Sequence, residues 1–328
     1  MKALVAKQLG TQPVLHIEER SIPQAKPGFS LVKMHAATVN PLSNQIRMGG
    51  VPAAKAPLVL SNDGSGVIVE SEHFKTGTPV AIYGGGALGI TEDGLQQQFV
   101  LVEGKWIVEL PVGTDLDIAA ALPINYVSAY QAISRVGQLK KGQTVLISGA
   151  TGSLGHALIQ LVNALGATPI GVVSTSGKIA NALDSGAKHV VDLSSQDMVS
   201  TVLDLTKGKG VDLAFDTVAG EVLGQLMKCL KTRGAVVSIG FAGGFTSEID
   251  IVDVVVYEKK LLGFDAHLET DEDVEHVFHV LKILLEQGKI KPRIDSVFPL
   301  EEHEQAYQHL ISRQAQGTIL LQLDQEGE

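Results

Sequence analysis

Hydrophobic positions change their rhythm near residue 115. Before it, apolar residues come in short runs at 14–17, 31–39, 66–70, 79–83, 98–102 and 106–109, several of them alternating with polar ones. Alternation with period two marks a strand with one buried face, and turn residues such as Lys26-Pro27-Gly28 separate the runs. Short strands at this spacing predict a barrel or sandwich-like domain. After it, residues 118–122 and 127–136 carry helical spacing, with Pro123 between them and Gly137 as a stop. From Thr144 the chain alternates predicted strands (144–148, 169–174, 189–192, 211–216, 235–240) with helices (154–165, 178–185, 196–206, 221–231). Glycines at 166, 186, 208 and 234 follow those helices, as left-handed C-terminal residues do. Repeated β-α units of this length build a doubly wound parallel sheet. A further strand at 261–265, a helix at 271–287, an extended segment at 291–300, a helix at 301–314 and a strand at 318–323 complete the pattern. The run 252–256 reads with strand 261–265 as a sheet edge.

The first β-α unit carries the most informative local feature. The apolar strand Val145-Leu146-Ile147 ends in Ser148-Gly149-Ala150-Thr151-Gly152-Ser153-Leu154-Gly155, which opens a helix. A strand, a glycine-rich turn and a helix N-terminus form the pyrophosphate seat of a dinucleotide-binding unit. Ala150 occupies the first glycine position of that fingerprint, while Gly152 and Gly155 keep the other two. The seat therefore predicts contacts from Ala150, Thr151, Gly152, Ser153 and Leu154. In NAD-binding units an acidic residue about 20 positions beyond the glycines binds the ribose 2′-hydroxyl. Residues 168–183 contain no carboxylate; Ser174, Thr175 and Lys178 stand there instead. Hydroxyls and a lysine can bond and neutralise a 2′-phosphate, so NADP is favoured over NAD; the same residues also serve as a solvated loop and helix cap. Thr217-Val218 and Gly240-Phe241 follow the fourth and fifth predicted strands, on the ligand-facing edge, where they flank the nicotinamide ribose and ring.

Composition narrows the partners. The chain has 328 residues, 45 % of them hydrophobic and 19 % charged, which fits a globular protein of about two domains. A formal charge of −10 argues against nucleic acid or an anionic membrane as the main partner. No apolar run approaches the roughly 20 residues of a membrane span, and Lys7, Gln8 and Gly10 break the N-terminal apolar stretch. A cytoplasmic location is the default expectation. One cysteine, Cys229, excludes an internal disulfide and a multi-cysteine zinc site.

In combination, several segments resemble the medium-chain dehydrogenase/reductase superfamily, in particular its zinc-independent quinone oxidoreductase branch, which includes zeta-crystallin. They are Ala37-Thr38-Val39-Asn40-Pro41-Leu42-Ser43, Ile46-Arg47-Met48-Gly49, residues 122–130, residues 142–155, Phe215-Asp216-Thr217-Val218-Ala219-Gly220 and Gly317-Thr318-Ile319-Leu320. The resemblance implies an α/β protein. A mostly β, GroES-like catalytic domain would take residues 1–122 and 265–328, and a Rossmann NADP-binding domain residues 123–264. Zinc-dependent members of the superfamily carry a cysteine where Asn40 stands and Gly-His-Glu where Ser61-Asn62-Asp63 stands. One carboxylate is a poor tetrahedral zinc site, so no metal is expected.

The implied reaction is hydride transfer from NADPH to a quinone or an α,β-unsaturated carbonyl, with negative charge developing on the acceptor oxygen. Fixed hydrogen-bond donors would stabilise that charge. Asn40, Asn125 and Tyr83 are the candidate catalytic residues; Asn40 and Ser128 also match positions beside the nicotinamide. Asn44, Asn62 and Tyr126 are further polar candidates, although Asn40-Pro41 is also an ordinary turn signal. Gln45 stands where some relatives carry a tyrosine. The resemblance also implies a homodimer. Short-chain reductases need Tyr-x-x-x-Lys, which this chain lacks. An NADPH-binding sensor or chaperone-like protein with little catalysis is the alternative reading.

Overall fold

The N-terminal segment Lys2–Gln8 is a strand, β1, that hydropathy alone does not mark, and its centre from Ala3 to Ala6 is fully buried. The computed structural model describes residues 1–324, and β1 opens the first of two units within it, formed by Met1–Ile124 and the chain from Pro292 onward. The elements that follow are β2 (Val14–Glu19), β3 (Phe29–Val39), α1 (Pro41–Arg47), β4 (Leu58–Val59), β5 (Asp63–Glu70), β6 (Pro79–Tyr83), β7 (Phe99–Glu103), β8 (Ile107–Glu109) and α2 (Leu116–Ala121). β1 lies between β2 and β4 in a three-stranded antiparallel sheet. β3 is the hub of a larger sheet and pairs antiparallel with both β5 and β7. The expected strands are present, and α1 is an addition. Its start obeys capping rules: Asn40 Oδ1 accepts from Ser43 N at 2.8 Å, Ser43 Oγ accepts from Asn40 N at 3.1 Å, and Pro41 needs no amide proton in the first turn.

The second unit, Asn125–Lys291, is built on six parallel strands. In chain order its elements are α3 (Pro123–Gln131, entering from the first unit), β9 (Thr144–Ile147), α4 (Ser153–Ala164), β10 (Thr168–Val173), α5 (Ile179–Asp184), β11 (His189–Asp192), α6 (Met198–Leu205), β12 (Val211–Asp216), α7 (Glu221–Cys229), β13 (Leu230–Ser238), α8 (Ile251–Val255), β14 (Lys260–Gly263) and α9 (Asp271–Glu286). The strands lie in the order β11-β10-β9-β12-β13-β14, the doubly wound Rossmann arrangement. Strand order reverses between β9 and β12, so the loops leaving these two strands define the place where such sheets bind ligands. Val145, Leu146 and Ile147 of β9 have no exposed surface, as a strand covered on both faces requires.

Two expectations are corrected here. Residues 252–256 do not form a strand; Ile251–Val255 is the helix α8. Its β-branched run favours extended backbone, but Asp250 caps the helix by accepting from Val252 N at 2.9 Å. A buried pair, Asp253–Lys259 at 2.7 Å, then holds the helix, with Lys259 Nζ also donating to Met227 O at 2.9 Å. The second correction is the later domain boundary, expected at 264/265 and found at 291/292. Helix α9 stays with the Rossmann unit because both of its flanks are tied there. Glu269 pairs with Arg135, Lys291 N donates to Gln160 Oε1 at 2.8 Å, and Lys291 O bonds the His156 ring at 2.9 Å.

The chain then returns to the first unit as β15 (Ile294–Pro299), α10 (His303–Ile311) and β16 (Thr318–Gln322). These complete a seven-stranded sheet of order β15-β16-β3-β5-β6-β8, with β7 also on β3. The pairing Ile319↔Val39 fixes the end of β3, and with it Asn40. His35 on β3 bridges Asp117 (2.9 Å) and Asp324 (2.6 Å). Burial opposes the charge on this ring, but the two carboxylates outweigh it and raise its pKa.

Candidate active site

In the Rossmann unit the turn after β9 is tied to the loops around it. Gly149 has φ +60°, and an added Cβ there would lie 2.4 Å from Thr217 Oγ1, so backbone conformation and space both require glycine. Gly155, in the first turn of α4, lets that helix sit directly on the turn; a Cβ would come within 2.1 Å of Gly149 O. Ala150, the departure from the glycine fingerprint, is buried and anchors the turn to β10 through its N–H to Val172 O at 3.1 Å. Thr151 is buried, whereas Gly152, Ser153 and Leu154 are partly exposed at the start of α4. The early amides of a helix have no partner within it, so a turn of this kind can receive an anion.

The loop after β12 is bolted to that turn. Ser148 Oγ donates to buried Asp216 Oδ1 at 2.7 Å and accepts from Thr217 N at 2.9 Å, and Thr217 Oγ1 donates to Ser148 O at 3.0 Å. Asp216 also accepts from the amides of Val218 and Ala219 at 3.0 Å. The loop after β13 joins the same set, with Gly243 N donating to Val218 O at 2.6 Å. Thr217, Val218, Gly240 and Phe241 thus sit together at the carboxyl edge of the sheet. Ser174 and Thr175 leave the end of β10 exposed, and Lys178 lies in the 3₁₀ turn that starts α5. These are the positions at which a Rossmann unit reads the 2′-substituent of its nucleotide. Ser128 on α3 is 7 % exposed, and Asn125 is half-buried near the start of that helix. Tyr126, beside them, spends its hydroxyl on Gln160 Oε1 at 2.7 Å, and burial holds its pKa well above the usual value.

The first unit holds a separate buried polar cluster. Asp63, at the start of β5, has no exposed surface. Its Oδ1 accepts from the Thr38 hydroxyl and from Asn40 Nδ2 (3.1 Å), while Oδ2 is buried without a hydrogen-bond partner. Desolvation pushes its pKa up to about 7 against the pull of those donors and of the Ile124 backbone. Asn40 is engaged at both ends: Oδ1 caps α1, and Nδ2 also contacts Thr38 Oγ1 (3.1 Å) and Asn62 Oδ1 (3.3 Å). Ser61 completes the cluster in a left-handed conformation, φ +74°. Tyr83, opposite Asp63 on β6, is 3 % exposed and packed in the sheet.

Sequence reading missed Thr38, Ser61 and Ser148 as site residues. The signal for Ser148 was available, as a hydroxyl at the last step before the glycine turn. Thr38 had no local signal, because its partners Ser61 and Asp63 lie 23 and 25 residues away.

Residues 26–112 match the family described as alcohol dehydrogenase GroES-like domain, and residues 153–282 match that described as zinc-binding dehydrogenase. A quinone oxidoreductase of Pseudomonas aeruginosa is 30 % identical over 93 % of this chain and 95 % of its own length. The chain belongs to the quinone oxidoreductase family of the medium-chain dehydrogenase/reductase superfamily. Members of this family are oxidoreductases, and so is this protein. A 2-haloacrylate reductase from a Burkholderia species is 28 % identical over 98 % of both chains. The crystal structure of an NAD-dependent alcohol dehydrogenase superposes with a TM-score of 0.89 at 25 % identity, covering 98 % of this chain and 100 % of the other.

The second family description raises the question of zinc. Where zinc-dependent members place their ligands, this chain offers two asparagine amides (Asn40 and Asn62), one hydroxyl (Ser61) and one carboxylate (Asp63), with no thiolate or imidazole. Asn40 Oδ1 is turned to the α1 cap, and Asp63 Oδ1 already takes two donors. This set does not fit tetrahedral zinc. Among the described residues no group of three or more histidine, cysteine or carboxylate side chains is placed to hold a metal ion. Among the same residues no helix is long and apolar enough to cross a membrane.

Proposed function

We propose that this protein is an NADPH-dependent reductase acting on quinones or α,β-unsaturated carbonyl compounds. The observation that carries the reading is the Rossmann switch point itself. A glycine turn is locked to two neighbouring loops, and a hydroxyl-and-lysine segment, with no carboxylate, follows β10. The α4 N-terminus with Ala150–Leu154 would hold the pyrophosphate, and Ser174, Thr175 and Lys178 the 2′-phosphate. Thr217, Val218, Gly240 and Phe241, with Ser128, would flank the nicotinamide end. When bound, NADPH supplies a hydride and the acceptor carbonyl gains charge that fixed donors must meet. We assign the donor role to Asn125, which lies half-buried near the start of α3 in the same unit as the nucleotide seat. The two relatives above act on quinones and on haloacrylates by name, and both acceptor classes place an oxygen where that charge would form.

The test is NADPH oxidation with 9,10-phenanthrenequinone and a panel of enones. Lys178→Ala should weaken NADPH by about tenfold while changing NADH little, the loss expected for one charge-assisted bond. Asn125→Ala should lower kcat by about tenfold or more without changing NADPH affinity. Equal effects of the lysine change on both nucleotides refute its role. Tight NADPH binding without turnover on any acceptor makes the protein a sensor instead.

A homodimer through the β14 edge is proposed as well. β14 ends the sheet, and Val255 (69 %), Val256 (63 %) and Leu261 (45 %) leave an exposed apolar strip around it. Leu261→Asp should convert the dimer to monomer in sedimentation velocity. A wild-type chain that sediments as a monomer ends this part of the reading.

A further inference from the structure

Two phenylalanines stand out at the carboxyl edge of the Rossmann sheet. Phe245 is 87 % exposed and Phe241 43 % exposed, and their rings lie 5.3 Å apart at 39°. Exposed this far, the Phe245 ring adds little to folding, since the gain from an apolar side chain comes from removing its area from water. The loop that carries the pair is held in place. Ile239 N donates to Asp216 O at 2.8 Å, Gly243 N to Val218 O at 2.6 Å, and Gly244 N closes back on Phe241 O at 3.1 Å. A Cβ on Gly240 would meet Thr217 O at 2.6 Å, so this loop lies directly against the β12 loop. Asp216 and Thr217 in turn hold the glycine turn through Ser148. The backbone that carries the rings, from Ile239 to Gly244, is therefore tied to the proposed nucleotide seat, and both rings keep exposed surface.

We propose that Phe241 and Phe245 form an aromatic platform that selects planar aromatic quinones over aliphatic enones as hydride acceptors. The inference rests on the proposed function and names the substrate class of that same site. Phenyl rings present electron-rich faces, and a quinone is an electron-poor planar π-system, so offset stacking between them is favourable in both area and quadrupole. A small aliphatic enone offers too little flat area to gain from the second ring. Phe245, the more exposed ring, is the specificity-determining residue.

The experiment compares wild type with Phe245→Ala, Phe245→Leu and Phe245→Tyr. Steady-state kinetics use 9,10-phenanthrenequinone and 3-buten-2-one with NADPH. Titration of 9,10-phenanthrenequinone onto the NADP⁺-saturated protein supplies a readout that needs no turnover. Phe245→Ala and Phe245→Leu should raise KM and Kd for the quinone by about tenfold, the effect of losing one stacked ring. Their kcat/KM for 3-buten-2-one and their NADP⁺ affinity should stay within about twofold, and Phe245→Tyr should restore quinone binding. Parallel losses on both acceptors, or none on either, overturn the platform. A change of sedimentation coefficient in Phe245→Ala also overturns it, by making the pair a contact between copies of the chain. If the wild type reduces neither acceptor yet binds the quinone in a Phe245-dependent way, the reductase reading fails and the platform stands.

Discussion

Gly155→Ala is expected to cost about 1–3 kcal/mol of stability, the range for overpacking a filled space, and to abolish tight nucleotide binding. The reason is local and severe. The new methyl carbon would lie 2.1 Å from Gly149 O, 2.8 Å from Gly149 C and 3.0 Å from Ala150 Cα. All three are backbone atoms, so no side chain can rotate away. Either α4 lifts from the turn or the turn itself moves, and each removes the helix N-terminus from the anion it would hold. Gly149 cannot yield easily, because its own surroundings are closed by Thr217. Gly177→Ala is the control, since nothing lies within 4 Å of its added carbon. Urea denaturation and NADPH fluorescence titration should show a large loss on both measures for position 155 and almost none for 177. Wild-type NADPH affinity in Gly155→Ala would falsify the close-packed turn.

Asp63 makes the second large prediction, and it concerns pH. Folding raises this carboxyl from 3.8 to about 7, because burial penalises its charge. The unfolded chain therefore gives up the proton first, and stability falls as pH rises from about 4 through about 7, then levels off. The shift corresponds to about 4 kcal/mol between the two limits. Asp63→Asn keeps an oxygen for Thr38 and Asn40 but cannot ionise. The stability difference between wild type and Asp63→Asn, from denaturant titrations at pH 4 and pH 8, should change by about that amount in favour of the variant at high pH. His35 and every other titrating group are common to both proteins and cancel in the comparison. Parallel pH curves for the two would show that Asp63 stays ionised throughout.

Much of the Rossmann unit was legible in the chain. Strands His189–Asp192 and Val211–Asp216 fall where hydropathy placed them, because buried parallel strands are short apolar runs bounded by turns. The glycine turn was legible because its constraints lie within a few residues of one another. β1 was not, since Lys2–Gln8 is a lone N-terminal run whose meaning depends on β2 and β4 closing over it. α8 was misread because the β-branched residues Ile251, Val252, Val254, Val255 and Val256 were set against the capping Asp250 and the buried Asp253–Lys259 pair. Propensity is a weak prior, and the tertiary contacts prevailed.

The candidate site divides along the same line. Asn40 looked like a catalytic amide, and the structure finds it capping a helix and bonded to Asp63. The partners that decide its role come from β3, α1 and β5. By itself the sequence determined the succession of elements, the glycine turn that opens α4 and the lack of a carboxylate after β10. Each of these is written in the periods and spacing of neighbouring residues. The protonation of Asp63, the bracing of Ser148 by Asp216, the allegiance of α9 and the exposed phenylalanine pair were decided only by tertiary structure. Desolvation and hydrogen-bond partners depend on which distant segments arrive together: Ser148 and Asp216 meet across 68 residues, and Thr38 and Asp63 across 25.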